Sequence, residues 1–145
     1  MLKKIKILYR YIRISLLLVI CDAQLSYMGF NKMFGWYTKK YFSNKKVAYD
    51  KESFEKTVNE INELFDVLDI ICAWYPRKSD CIHKTLLGYK IIRREYGIPV
   101  DMVVGIRKFP FEAHAWLQYK NQNFFEEETN KYRIVLRSHD LRGSE

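Results

Sequence analysis

The chain changes its apolar period once, at Gly97-Ile98-Pro99. Before that tripeptide the apolar residues recur every three or four positions, as on one face of a helix; after it they alternate, as on a half-buried strand. Gly97 supplies a left-handed helix stop, and Pro99 prevents continuation. Helices followed by antiparallel strands pack as a helical layer on one side of a small sheet, so the pattern predicts an α+β fold. At 145 residues the chain suits one domain, long enough to bury roughly 68–70% of its unfolded surface. No internal repeat, low-complexity segment or long linker divides it. The expectation is a single domain over 1–145, with a helical region at 1–75, a helix and sheet at 76–136 and a polar tail at 137–145.

The helix that ends at Gly97 begins near Cys81. Pro76 and the polar run Arg77 to Asp80 stop what precedes it, and Ser79 or Asp80 can serve as N-cap. Ile82, Leu86, Tyr89 and Ile92 then recur at helical spacing, with Leu87 and Ile91 widening the stripe. Cys81 therefore falls in the first turn. There, unpaired N–H groups and the positive end of the helix dipole favour thiolate over thiol, the condition for a cysteine nucleophile. A cysteine at a helix start is also a common small packing residue, so a second group is needed to decide.

That group lies in the strands. Pro99 to Arg107 alternates with Val100, Met102, Val104 and Ile106 on one side; Lys108-Phe-Pro110 turns the chain, and Glu112 to Tyr119 returns. In this second strand Ala113, Ala115, Leu117 and Tyr119 share one face, and Glu112, His114, Trp116 and Gln118 the other. Lys120 to Asn123 makes a hairpin, Asn tolerating left-handed geometry. Asn123 to Glu128 reads as a third strand carrying three glutamates, and Tyr132 to Leu136 as a fourth. A Cys opening a helix, a His on a later strand and a carboxylate on the strand after it follow the order of a Cys-His-acid triad. His83 is the rival base, but it sits two residues after Cys81 on the same helix, its side chain turned about 200° away. It reads as a surface or packing residue. His139 lies in the polar tail.

Cys81 with its Leu-rich basic helix, the exit Arg93-Arg94-Glu-Tyr-Gly-Ile-Pro99, the strand Val103-Val-Gly-Ile-Arg107 and the run Ala113-His-Ala-Trp116 together carry a resemblance. Over about residues 75 to 136 the chain resembles the stand-alone leader peptidases of lasso-peptide biosynthesis, small transglutaminase-like (papain-like) cysteine proteases. The resemblance implies a cysteine hydrolase that cuts a ribosomally made precursor peptide (a RiPP) between leader and core. Cys81 would be the nucleophile and His114 the base. The orienting acid would be Glu126, twelve residues after the histidine where the family usually has Asp; Glu127 or Glu128 would substitute if the hairpin shifts register. The Cys81 N–H would contribute to the oxyanion hole. Lys84, at a place usually basic in such proteins, would contact substrate or an acidic neighbour, or simply face solvent. The partners implied are the precursor peptide, a separate leader-binding protein and an ATP-dependent cyclase. No cofactor follows from the chemistry. Amidase or transglutaminase-type acyl transfer on the same triad, and a non-catalytic basic peptide-binding module, are the alternatives.

Charge and cysteine usage bound the setting. Twenty-five basic residues against 17 acidic leave a net +8, which favours anionic partners, yet no nucleic-acid-binding motif appears. Cys21, Cys72 and Cys81 make neither a disulfide framework nor a C-x-x-C zinc pair. A reducing cytoplasm is the simplest compartment. Near the N-terminus the only uninterrupted apolar run is Leu16 to Cys21, far short of the ~18–20 residues that span a bilayer. Drawn as a helix, this segment puts Lys3, Lys6, Arg10 and Arg13 on one face and Leu2, Ile5, Leu8, Ile12, Leu16 and Val19 on another. The preferred reading packs that apolar stripe on the domain. A surface for an acidic peptide, a partner or an anionic lipid comes second, with peripheral membrane contact open but not favoured. Gln24 to Phe42, rich in aromatics, reads as an irregular second helix weakened by Gly29 and Gly35, and Ser43 to Lys46 as a loop. Lys51 to Tyr75 is the clearest helix before Cys81, capped at Ser53, with Phe54, Val58, Ile61, Phe65, Leu68 and an inert Cys72 stepping by 4, 3, 4, 3, 4.

Overall fold

A computed structural model describes residues 1–42, 48–76, 81–120, 122–124 and 129–142. The helical region holds α1 (Leu2–Met28), α2 (Phe30–Lys40), α3 (Lys51–Trp74) and α4 (Cys81–Ile91). A single π-turn, Ile92–Tyr96, extends α4 to Gly97, whose φ of 66° makes the left-handed stop. Among the described residues four antiparallel strands follow: β1 (Asp101–Arg107), β2 (Glu112–Tyr119), β3 (Gln122–Asn123) and β4 (Arg133–Arg137), in sheet order β3-β2-β1-β4. A short α5 (Ser138–Arg142) closes the described chain. The change of period at Gly97 is thus the boundary between the helical and sheet halves of an α+β fold.

The helices cover one face of the sheet. Met102, Val104, Ala115 and Leu117 bury that face against Leu86, Leu87 and Ile91 of α4 and Ile61, Phe65 and Leu68 of α3. Gly88 sets the spacing: a Cβ there would lie 2.5 Å from Phe65 Cζ and 2.7 Å from Leu117 Cδ1. With hydrogen in that place, α4 fits between α3 and β2. Of the stripe expected for Lys51 to Tyr75, α3 buries Ile61, Phe65 and Leu68, adds Leu64, and leaves Phe54, Val58 and Cys72 half-buried. Its N-cap is Asp50 rather than Ser53: the Asp50 side chain accepts from the Ser53 N–H at 2.7 Å, and that bond holds the Asp50 carboxyl below its ordinary range.

Other expectations change as well. The second helix does not begin at Gln24. α1 runs unbroken to Met28, and Gly29 with φ 77° turns the chain into α2, leaving Gly35 inside that helix. The left-handed hairpin residue is Lys120, φ 51°, and β3 is two residues long; the rest of the strand expected to reach Glu128 lies outside the described residues. Of the segment read as a polar tail, Arg137 ends β4 and Ser138 is fully buried. Its hydroxyl accepts from the Met102 N–H at 2.9 Å and donates to Asp101 at 3.0 Å, holding α5 to β1.

The largest change is in α1. The residues it buries are Ile14, Leu18, Cys21 and Asp22. The stripe expected to pack, Leu2, Ile5, Leu8, Ile12, Leu16 and Val19, is exposed. Two apolar stripes run along this helix, and the fold uses the shorter, more C-terminal one.

Candidate active site

Cys81 is the first residue of α4, half-buried and unbridged. Packing α4 across β2 brings its sulfur to the strand's edge, where it accepts the Ala115 N–H at 3.4 Å. β3 pairs only with Gln118 and Tyr119, so no described strand competes for that amide. An N–H directed at sulfur favours negative charge on it, as does the helix start.

Ala115 is the residue after His114. Along β2 His114 alternates with Ala115, and its ring lies in an aromatic cluster. The imidazole lies 5.8 Å from the Trp116 ring at 24° and 5.3 Å from the Tyr132 ring at 32°. Tyr132 is near enough to Cys81 for a charge on that sulfur to act on its phenol. Burial, with a hydrogen bond to Glu112, pushes the Tyr132 phenol up from its ordinary value. Glu112 is in turn gripped by Arg107 at 2.6 Å. Arg107, Glu112 and Tyr132 therefore make a polar brace beside the histidine.

A cleft of about 290 Å³ opens next to Cys81. Its walls are Asn62, Phe65, Asp66 and Asp69 of α3, Lys84 and Thr85 of α4, and Ala115 to Leu117 of β2. Lys84 forms an ion pair with Asp69 across it, so it meets the acidic neighbour that was one of its expected roles. Trp116 is buried, and its indole N–H has no hydrogen-bond partner among the described residues.

The structure separates the other candidates from this place. His83 is a buried packing residue whose Nε2 lies 3.0 Å from Asp22 Oδ1, while the Tyr75 hydroxyl donates to Asp22 Oδ2 at 3.0 Å. Asp22, Tyr75 and His83 thus tie α1, the end of α3 and the first turn of α4 together. His139 is exposed on α5. Glu126, Glu127, Glu128 and the caps Ser79 and Asp80 lie outside the described residues. Among the described residues no group of His, Cys, Asp and Glu could hold a metal ion, and no helix is long and apolar enough to cross a membrane.

Sequence reading missed Gly105, Tyr132 and the Arg107–Glu112 pair. Gly105 had a signal, because a glycine inside a strand marks a close approach; Tyr132 had none, since a β1–β4 pairing is needed to bring it to His114. It also missed Asp22, the first acidic residue of the chain, lying on a buried apolar stripe.

Against known proteins, the family model described as the transglutaminase-like superfamily matches residues 27–137. No curated protein and no solved structure matches the chain. The matched span contains Cys81, its helix and all four strands, and omits nearly all of α1. It covers well over half of the 145 residues, and the chain belongs to the transglutaminase-like superfamily, whose members generally carry cysteine-protease or acyl-transfer chemistry.

Proposed function

We propose that the protein is a cysteine endopeptidase that removes the leader from a ribosomally made precursor peptide, as in lasso-peptide maturation. Cys81 is the nucleophile, His114 the general base and then acid, and Glu126 the group that orients the imidazole. The observation that carries the reading is the Cys81 sulfur at the first turn of α4, in hydrogen-bond contact with the amide next to His114.

In this mechanism His114 takes the thiol proton, and the thiolate attacks the scissile carbonyl carbon. The carbonyl oxygen becomes an oxyanion held by the Cys81 N–H. Collapse of the intermediate breaks the C–N bond, and the imidazolium gives its proton to the leaving amine. Water, deprotonated by His114, then attacks the thioester; its collapse releases the carboxylate and regenerates the thiol. The cleft between α3 and β2 receives the peptide beside the sulfur, with Lys84 and Asp69 on its wall. A separate leader-binding protein positions the leader, and an ATP-dependent cyclase acts on the released core.

The test is incubation with the precursor peptide encoded by the neighbouring coding region, with and without the leader-binding partner, followed by mass measurement. Two fragments that sum to the precursor plus one water, absent with Cys81→Ala, are expected. An intact precursor under both conditions overturns the proposal. The superfamily's acyl-transfer chemistry supports a second reading on the same residues. A product joined to an added amine, in place of a free carboxylate, would establish that one.

A further inference from the structure

The outward side of α1 holds Leu2, Ile5, Leu8, Ile12, Leu16 and Val19 in solvent, at 77, 58, 60, 51, 59 and 49% exposure. Projected at about 100° per residue they fall within an arc of about 120°, roughly opposite the stripe that seats α1 on the core. The arc runs for about five helical turns. Contiguous apolar surface of this kind is rare on a protein that meets only water. It also lies wholly outside the segment matched by the family model.

The charges beside the arc indicate what covers it. Residues 1–21 contain Lys3, Lys4, Lys6, Arg10 and Arg13 and no carboxylate. Arg10 and Arg13 pair with Glu63 and Glu95 of the chain's own helices, which argues against the whole basic face serving as a protein dock. Lys3, Lys4 and Lys6 make no ion pair among the described residues. We infer that α1 lies flat on an anionic lipid surface, its apolar arc in the boundary between headgroups and acyl chains and Lys4 and Lys6, which flank the arc on either side, among the headgroups.

Two features favour lipid over protein. The arc is a straight convex ridge whose one polar group is the phenol of Tyr9, 66% exposed, an amphipathic ring suited to headgroup depth. It offers almost no directional hydrogen bonding by which a protein partner would be specified. A second copy of the chain would bring no carboxylate to the lysines from its own arc, because the first acidic residue, Asp22, is buried. This assignment does not depend on the peptidase reading.

The test is co-sedimentation of the full chain with vesicles of phosphatidylcholine, alone or mixed with phosphatidylserine. The protein is expected to sediment with the mixed vesicles, not with phosphatidylcholine alone, and to be released as salt rises. Ile5→Glu combined with Ile12→Glu should lower the bound fraction roughly tenfold or more, with an unchanged melting curve because both side chains face solvent. Lys4→Glu with Lys6→Glu should remove the preference for phosphatidylserine. Failure to bind the mixed vesicles overturns the proposal, as does equal binding by the Ile5/Ile12 variant or equal binding to both lipids. So does a self-associated species that dissolves in the Ile5/Ile12 variant without any vesicle binding, which would identify a second copy as the occupant.

Discussion

Gly105 stands directly opposite His114 in the β1–β2 pairing, and the space where its side chain would be is filled by Trp116 and Tyr132. These are the two rings that flank the imidazole. A Cβ at Gly105 would lie 2.8 Å from Trp116 Cη2 and 2.8 Å from Tyr132 Cβ, closer than such atoms approach, so both rings must shift. Gly105→Ala is expected to destabilise the fold by about 1–3 kcal/mol. Because the rings set where His114 sits, it should also lower turnover of the precursor about 10–100-fold. Steady-state kinetics alongside a urea melt checks both. Native turnover in the variant would show that the rings do not position the base.

The three thiols should behave differently. Iodoacetamide near neutral pH is expected to modify Cys81 first, since it is half-exposed at a helix start with an amide directed at its sulfur. Cys21 is fully buried and its thiol is pushed up to about 12, so it should stay unmodified. Cys72 is as half-buried as Cys81, but it sits at the C-terminal end of α3, where the helix dipole disfavours a thiolate, and should react more slowly. Cys81→Ala should abolish cleavage and leave the melt unchanged. Cys72→Ala should cost about 1 kcal/mol of stability with cleavage retained. Peptide mapping after alkylation gives the order of reaction, and equal labelling of Cys72 and Cys81 would contradict it.

How much of this was legible in the sequence follows from how local each signal is. The stop at Gly97, the centre of the α3 stripe, the position of Cys81 at a helix start and the faces of β2 depend on residues within one or two turns of each other, and each is as the spacing predicts. The seating of α1 is different. Its two apolar stripes are both self-consistent at helical period, and only the position of α2, α3 and α4 decides that Ile14, Leu18 and Cys21 are the ones covered. The same limit hid Asp22. A carboxylate on a buried stripe has meaning only beside His83 and Tyr75, which are 61 and 53 residues away. Tyr132 reaches His114 through a pairing across the sheet's far edge, after a register shift between Val104 and Gly105 that no local pattern marks.

The Asp22–His83 contact separates structure from catalysis. Asp22→Ala leaves the buried His83 ring and the Tyr75 hydroxyl without their acceptor, which should cost about 1–3 kcal/mol. Its effect on turnover by the folded fraction should be small. The pH–rate profile should keep its shape, because His83 exchanges no proton with the substrate. His114→Ala, by contrast, should eliminate turnover while changing stability less. A shifted pH–rate profile in Asp22→Ala would make His83 part of the chemistry.

Alkali should loosen the core through Cys21. Its thiol is raised from 9.0 to about 12, chiefly by burial, with a hydrogen bond from Tyr37 pulling the other way. Burial raises the Tyr37 phenol as well. The folded chain thus holds these protons more tightly than the unfolded one. Their contribution is complete below the unfolded values and drains away as pH rises toward the folded ones. Lys90, lowered by burial, acts in the opposite sense and offsets part of the loss. The melting temperature should therefore fall as pH rises from about 9 toward 12, and Cys21→Ala should melt lower at pH 7 but lose less on the way up. Parallel curves for the two proteins would show that Cys21 does not carry this dependence.

The orienting acid is the sharpest remaining test of the proposed triad. A His that serves as base on one nitrogen needs its other N–H held by an acceptor, and among the described residues the carboxylate in the cluster beside His114 is Glu112. That carboxylate is engaged by Arg107 at 2.6 Å and by the Tyr132 phenol, and so braces the ring's neighbour instead of the ring. The proposal assigns the task to Glu126. Glu126→Gln retains the shape but offers the imidazole an amide that can donate as well as accept, so the wrong tautomer becomes available. Turnover should drop by up to about 10⁴-fold, by analogy with serine triads, while Glu127→Gln should be nearly silent. Glu112→Gln should fall between them, because it loosens Tyr132 without touching the acceptor. The measurement is single-turnover cleavage of the precursor by the three variants side by side. A large loss at Glu127 with little at Glu126 would move the acid by one position, and a loss confined to Glu112 would transfer the role to the residue that Arg107 holds.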